Sequence, residues 1–145
     1  MFMKNVQVAD TDEKIMKCRE VILELRPHLI KEEFVALIKK LQQDKLTLIY
    51  IEEEGNAVAA ACFVEGVKLH RGKFIYIDDL STMPAHRGKG LGTILLDWIF
   101  DYAKKNDFDQ VHLDSGVQRF DAHRLYLKYG FNITSHHFVK VLKSN

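Results

Sequence analysis

The chain has 145 residues, the size of one domain, and a chain of that length buries about 68–70% of its unfolded surface without disulfide or metal staples. Apolar residues make up 47% and charged residues 28%, which excludes disorder, and Lys+Arg 21 against Asp+Glu 20 leaves +1, which speaks against nucleic-acid and membrane partners. The longest apolar run, Ala57 to Val64, is far short of the ~20 residues that span a bilayer, Met1 to Gln7 has no apolar leader core, and Cys18 and Cys62 make neither a disulfide framework nor a zinc quartet; a single cytoplasmic domain over residues 1–145 is expected.

Asn5 to Ala9 alternates as a short first strand. Thr11 or Asp12 can cap a helix with Ile15, Cys18, Ile22 and Leu25 on one face, stopped by Pro27. Phe34, Leu37, Ile38 and Leu41 follow at the i, i+3, i+4, i+7 spacing of a second helix. Thr47 to Ile51 and Ala57 to Val64 are β-like runs joined by the hairpin signal Glu54-Gly55-Asn56. Gly66 to Gly72 is a polar connection, and Phe74 to Thr82 alternates as a further strand. Leu91, Ile94, Leu95, Trp98, Ile99 and Tyr102 form the strongest helical stripe of the chain. Val111 to Asp114 is a short strand, and a helix from about Arg119 ends at the C′ glycine Gly130. Phe131 to Thr134 and His137 to Leu142 are expected to close the fold as strands. The order β-α-α-β-β-β-α-β-α-β-β, an antiparallel meander feeding a βαβ crossover, defines an α+β fold with a mixed sheet. Cys18 and Cys62 fall on apolar stretches, where a free thiol serves the core.

The informative stretch runs from Leu80 through Met83-Pro84 to Arg87-Gly88-Lys89-Gly90-Leu91-Gly92-Thr93, between a predicted strand and the best predicted helix. Glycines let a bound group approach the backbone. The first helical amides have no internal acceptor, and the helix dipole adds about half a positive charge there. Arg87 and Lys89 add two full charges, so the turn suits a phosphate or pyrophosphate. The same composition would also make a plain flexible surface turn. A Walker A loop is excluded because Lys89 is followed by Gly90 rather than Ser or Thr. A dinucleotide fingerprint fits poorly, since the turn follows an apparent meander rather than an early parallel strand.

Arg87-Gly88-Lys89-Gly90-Leu91-Gly92 is similar to the Arg/Gln-x-x-Gly-x-Gly/Ala motif of the GNAT superfamily of N-acetyltransferases. Ala122-His123-Arg124-Leu125-Tyr126-Leu127-Lys128-Tyr129-Gly130-Phe131 resembles that family's Ala-x-x-x-Tyr-x-x-x-Gly-Phe segment, and the element order agrees with it over essentially the whole chain. The resemblance implies a GNAT-like mixed sheet with helices on both faces and acetyl-CoA as acetyl donor. It places the donor on Leu80, Ser81, Thr82, Arg87, Gly88, Lys89, Gly90, Leu91, Gly92 and Thr93. Leu80 and Thr82 are implied as main-chain contacts to pantetheine in a gap between splayed strands, where a backbone N–H could stabilise an oxyanion.

Transfer to an amine also requires proton handling, because an alkylammonium has a pKa of about 10.4 and must lose a proton before it attacks. The resemblance puts the general acid at Tyr126, which could otherwise be a packing residue beside Leu125 and Tyr129. Asp78 or Asp79 is the candidate base; the two face opposite sides of a regular strand, so at most one reaches the cleft unless a bulge intervenes. Alternatively they bind a substrate ammonium or cap the strand. His112, His136 and His137 compete for the role, and no spacing among the histidines forms a metal site, so no metal is expected. Many family members carry Asn where this chain has Arg119, so a pantetheine contact there is not carried over.

The run from Arg119 to Tyr126 and Ser135-His136-His137-Phe138 look most like small bacterial members, among them the aminoalkylphosphonate N-acetyltransferases. A small-molecule amine is therefore the expected acceptor, with protein N-termini or lysines as the alternative and a non-catalytic acyl-CoA sensor as the reading of another class. The resemblance further implies a homodimer through the edge of the final strands.

Overall fold

Glu54 and Gly55, at φ 52° and 83°, turn the chain back between β2 (Leu46–Glu53) and β3 (Asn56–Lys68). Two successive positive φ angles give the turn that matches the right-handed twist of a hairpin, and glycine takes one of them without steric cost. This computed structural model describes residues 5–143. The chain divides into two compact units, with the boundary between Leu113 and Asp114.

The first unit is built on a five-stranded sheet in the order β1-β2-β3-β4-β5. β1 (Val6–Val8), β2, β3 and β4 (Gly72–Thr82) are antiparallel neighbours, and β5 (Gln110–Leu113) pairs parallel to β4. The meander and its crossover therefore form as the pattern predicts. The polar connection expected from Gly66 is shorter than read, because β3 continues to Lys68 and β4 begins at Gly72. Pairing with β4 carries the strand on, Gly66 opposite Phe74 and Lys68 opposite Gly72, where composition alone suggested a loop.

Both faces of the sheet are covered. Alternation sends Leu48, Tyr50, Ala60 and Cys62 to one face, where they join Ile15, Cys18, Val21, Ile22, Phe34 and Ile38 in one core cluster. The helical members come from α1 (Asp12–Lys17), α2 (Arg19–Leu25) and α3 (Phe34–Gln43), with Cys18 at the junction of the first two. The Thr11 side chain caps α1 by accepting the Lys14 N–H at 3.2 Å. The one helix expected before Pro27 is interrupted at Cys18, which closes α1 and opens α2. On the opposite face Phe63 meets Trp98 and Tyr102 with ring centroids 6.3 and 5.6 Å apart. This fixes α4 (Leu91–Lys105) there, with Leu91, Leu95, Leu96, Ile99 and Ala103 buried. Each such Leu or Ile contributes about 1.5–3 kcal/mol by leaving water.

The second unit contains α5 (Phe120–Tyr129), which ends at Gly130 with φ 111°. The Gly130 N–H donates to the Leu127 carbonyl at 3.1 Å and the Phe131 N–H to the Tyr126 carbonyl at 2.9 Å. The Tyr126 and Phe131 rings close over the turn at 5.8 Å, so this is a Schellman ending with its apolar contact. The two closing strands, Phe131 to Thr134 and His137 to Leu142, do not form in the described residues, where 131–140 carries no regular structure. A strand needs a partner edge for its N–H and C=O groups, and among the described residues after Leu113 no strand forms to supply one. Ile133, Phe138, Val139, Val141 and Leu142 are accordingly exposed. Among the described residues no helix is long and apolar enough to cross a membrane.

Candidate active site

The parallel ladder between β4 and β5 runs only from Phe74↔Gln110 to Ile77↔Leu113. From Asp78 to Thr82, β4 pairs with β3 alone, so its other edge has no strand partner among the described residues. Which groups line that edge follows from one hydrogen bond: the Met83 N–H donates to the Val58 carbonyl at 2.8 Å. Main-chain groups of an antiparallel strand alternate between its two edges. Ser81 therefore faces β3, with its side chain buried, while Leu80 and Thr82 turn their main-chain groups to the open edge.

Asp78 and Asp79 sit where the ladder is irregular. Asp79 pairs with Cys62 and Ile77 with Phe63, so Asp78 is the extra residue of a β-bulge. The bulge meets the condition under which adjacent residues need not obey strict alternation. Arg26, just after α2, reaches both residues: its Nε donates to Asp79 Oδ1 at 2.7 Å and its Nη2 to the Asp78 main-chain carbonyl at 3.1 Å. Asp78 as a whole is exposed, yet partial burial of its carboxyl and the Asp79 charge push its pKa up, opposed by the Arg26 guanidinium. Behind them Cys62 is a buried free thiol whose pKa is driven well up by burial and by the neighbouring Asp79. It is a core residue and not a nucleophile.

After β4 comes a 3-10 turn, Pro84–His86, with proline at its start. His86 Nδ1 lies 3.2 Å from Glu53 Oε2 at the end of β2. The glycine turn then leads into α4, with Gly88 at φ 78° and Gly90, the N-cap, at φ 79°. A Cβ built on either glycine would meet nothing within 4 Å, so the space over this backbone is open to a ligand. The first helical bond, Ile94 N–H to the Gly90 carbonyl at 3.1 Å, leaves the Leu91, Gly92 and Thr93 amides ahead of any helical acceptor. Arg87 spans the turn: its Nε donates to the Thr82 carbonyl at 3.1 Å and its Nη2 lies 3.5 Å from Glu24 Oε1 of α2. Lys89 is exposed. These residues fit the phosphates and pantetheine of a CoA thioester: open amides and positive charge at one end, an unpartnered strand edge at the other.

Tyr126 lies on α5, in the second unit. Burial pushes its phenol above the ordinary value of 10, and the Arg119 guanidinium pulls it back. His123 Nε2 lies 2.7 Å from the Gly116 carbonyl and His137 Nδ1 3.2 Å from Asp114 Oδ2. His112 Nε2 lies 2.6 Å from Gln110 Oε1. No group of three or more His, Cys, Asp or Glu among the described residues could hold a metal ion. Arg26, Glu24 and the His86–Glu53 pair carry no signal in the sequence, because each acts through a partner more than thirty positions away. Only the helix stop at Pro27 marks that neighbourhood.

A mixed sheet with helices on both faces, a strand edge opened after a bulge and a glycine turn at the head of the next helix define an acetyltransferase fold. A family model described as the acetyltransferase (GNAT) family matches residues 13–131, and the chain belongs to that family of N-acetyltransferases. It is 37% identical over 122 residues to an uncharacterised N-acetyltransferase of Bacillus subtilis, YhdJ, covering 83% of this chain and 86% of that one. It is 33% identical over 75 residues to an aminoalkylphosphonate N-acetyltransferase of Salmonella typhimurium, covering 51% of this chain and 49% of that one. Its fold superposes on an aminoglycoside N-acetyltransferase in complex with CoA with a TM-score of 0.81 at 13% identity, covering 99% of this chain and 98% of that chain.

Proposed function

We propose that this protein, acting as a single domain over residues 1–145 in the cytoplasm, transfers an acetyl group from acetyl-CoA to a primary amine of a small metabolite by direct attack in a ternary complex. The observation that carries this reading is the open β4 edge, Leu80 and Thr82, running into an exposed turn with Gly88 and Gly90 at positive φ. On this reading the amides from Gly88 to Thr93, with Arg87 and Lys89, hold the pyrophosphate. Leu80 and Thr82 hold pantetheine, and a main-chain N–H of β4 stabilises the oxyanion, an interaction worth about 3 kcal/mol in a water-excluded site. Asp78 or Asp79 takes the proton from the ammonium. The neutral nitrogen then forms the C–N bond to the thioester carbon, the C–S bond breaks, and its electron pair leaves with sulfur. Tyr126 donates a proton to that thiolate, and the second proton that the nitrogen sheds as the amide forms passes to solvent, from which Tyr126 is re-protonated.

The Salmonella relative is named for aminoalkylphosphonates, and that class heads the acceptors to be tried. A homodimer through the 131–142 segment belongs to the same reading, supported by the exposure of Phe138, Val139, Val141 and Leu142, and sedimentation measures it. Titration calorimetry with acetyl-CoA, beside dephospho-acetyl-CoA, tests the donor site. Release of free thiol with a panel of amines, including aminomethylphosphonate, aminoethylphosphonate and a short peptide, tests the acceptor. Binding without turnover on any amine would favour an acyl-CoA sensor. No binding by the folded protein would remove the reading.

A further inference from the structure

The carboxylates Asp78 and Asp79 adjoin in sequence, but the structure gives them different circumstances. The Asp79 side chain is 17% exposed and its Oδ1 is engaged by the Arg26 guanidinium at 2.7 Å, whereas Asp78 is exposed. The same guanidinium also grips the Asp78 main-chain carbonyl at 3.1 Å, so one side chain ties both ends of the bulge to the end of α2. We propose that Arg26 is a positioning residue for acetyl transfer: by holding the Asp79 carboxylate and the Asp78 carbonyl together it sets the β4 bulge and presents Asp78, rather than Asp79, to the incoming amine. This rests on the acetyl-transfer reading and goes beyond it by dividing the labour between the two aspartates.

The planar fork suits this task. Two nitrogens separated by a fixed geometry reach two acceptors on adjacent residues, which the point charge of a lysine cannot do. The Arg26 guanidinium from the end of α2 and the Cys62 thiol from β3 both act on the pair of carboxylates on β4. Removing Arg26 takes away a charge that opposes the two carboxylates, and the proton affinity of Asp78 rises.

The test compares Arg26→Gln and Arg26→Lys with the wild type. Three readouts are needed: NMR titration of the Asp78 carboxyl, kcat/KM against pH, and acetyl-CoA affinity. In Arg26→Gln the Asp78 carboxyl and the acid limb of kcat/KM move to higher pH together, and kcat/KM falls at least about tenfold. In Arg26→Lys the titration returns towards the wild-type position while kcat/KM stays depressed, because the charge is restored and the fork is not. An unmoved Asp78 titration in folded Arg26→Gln overturns the proposal. If Arg26→Gln does not fold, Arg26→Lys decides: a depressed kcat with unchanged acetyl-CoA affinity supports it, and wild-type kinetics overturn it. Failure of the acetyl-transfer reading is separate, since it appears as absent acetyl-CoA binding in the wild type while the NMR titration still reports on Arg26.

Discussion

The Arg87 guanidinium donates to the main-chain carbonyl of Thr82 at 3.1 Å, so the first residue of the glycine turn is fastened to the last residue of β4. That side chain is already occupied on one side by the strand and on the other by Glu24 of α2 at 3.5 Å. Its work is to hold turn and strand edge in register as well as to add positive charge. Arg87→Ala is expected to weaken acetyl-CoA by about tenfold, the scale of one charge-assisted hydrogen bond. Arg87→Lys should recover only part of this, since it restores the charge without the directed bond. Glu24→Gln should change affinity by less than about threefold, because an exposed pair at that distance contributes little. Calorimetric titration of the three variants measures all of this.

Gly90 separates strain from charge. It caps α4 at φ 79°, and a Cβ there would find open space but an unfavourable backbone. Gly90→Ala should cost about 1–2 kcal/mol of stability through the left-handed conformation alone. Gly90→Asp carries a similar strain, eased by the tolerance of Asp for that region, and adds a carboxylate where phosphate is proposed to sit. Acetyl-CoA binding should survive in Gly90→Ala and be lost in Gly90→Asp, with chemical denaturation giving the stability of each. Equal binding by the two would remove the phosphate from this turn.

The turn was legible because its signals are local: glycines at positive φ, a preceding strand and a stripe of apolar residues at helical spacing all lie within a short stretch. The same holds for the hairpin at Glu54-Gly55 and the ending of α5 at Gly130. The bulge at Asp78 was legible only as a condition, since one unpaired residue changes no composition and appears only in the register with β3. Arg26 was not legible at all, as its partners come from a strand more than fifty positions on. The segment from Phe131 to Leu142 has strand-like residues but forms no strand among the described residues. β-propensity describes fitness for a half-buried pleated surface and does not create one.

Tyr126 closes α5 through its carbonyl and packs on Phe131 at a ring distance of 5.8 Å, so its ring has a structural use whatever its hydroxyl does. Tyr126→Phe keeps the ring and removes only the hydroxyl, which makes it the informative change. If Tyr126 protonates the leaving thiolate, turnover should fall about 10²-fold or more while acetyl-CoA affinity stays within about twofold. Because burial raises the phenol's pKa, any alkaline limb that Tyr126 imposes on kcat should lie at higher pH than an exposed tyrosine would give. Unchanged turnover in Tyr126→Phe would leave the residue a helix-ending pack and nothing more.

Burial should also shape the response to alkali through Cys18 and Tyr102. The Cys18 thiol is pushed up to about 12, mainly by burial and then by Glu52. The Tyr102 phenol is likewise pushed to about 12, by burial and by its 2.7 Å hydrogen bond to Glu65 Oε2. Both groups hold a proton in the folded chain that the unfolded chain releases earlier, near pH 9 and 10 respectively. The stability they contribute is therefore complete below pH 9 and drains away as pH rises from 9 towards 12. Denaturation midpoints should fall steadily over that window, and less steeply in Tyr102→Phe and Cys18→Ala, each compared with its own value at pH 8. The same burial predicts that a thiol reagent at pH 8 labels neither Cys18 nor Cys62 in the folded protein and both after unfolding. Labelling of folded Cys18 would show that α1 and α2 separate at the Cys18 break more readily than their shared core allows.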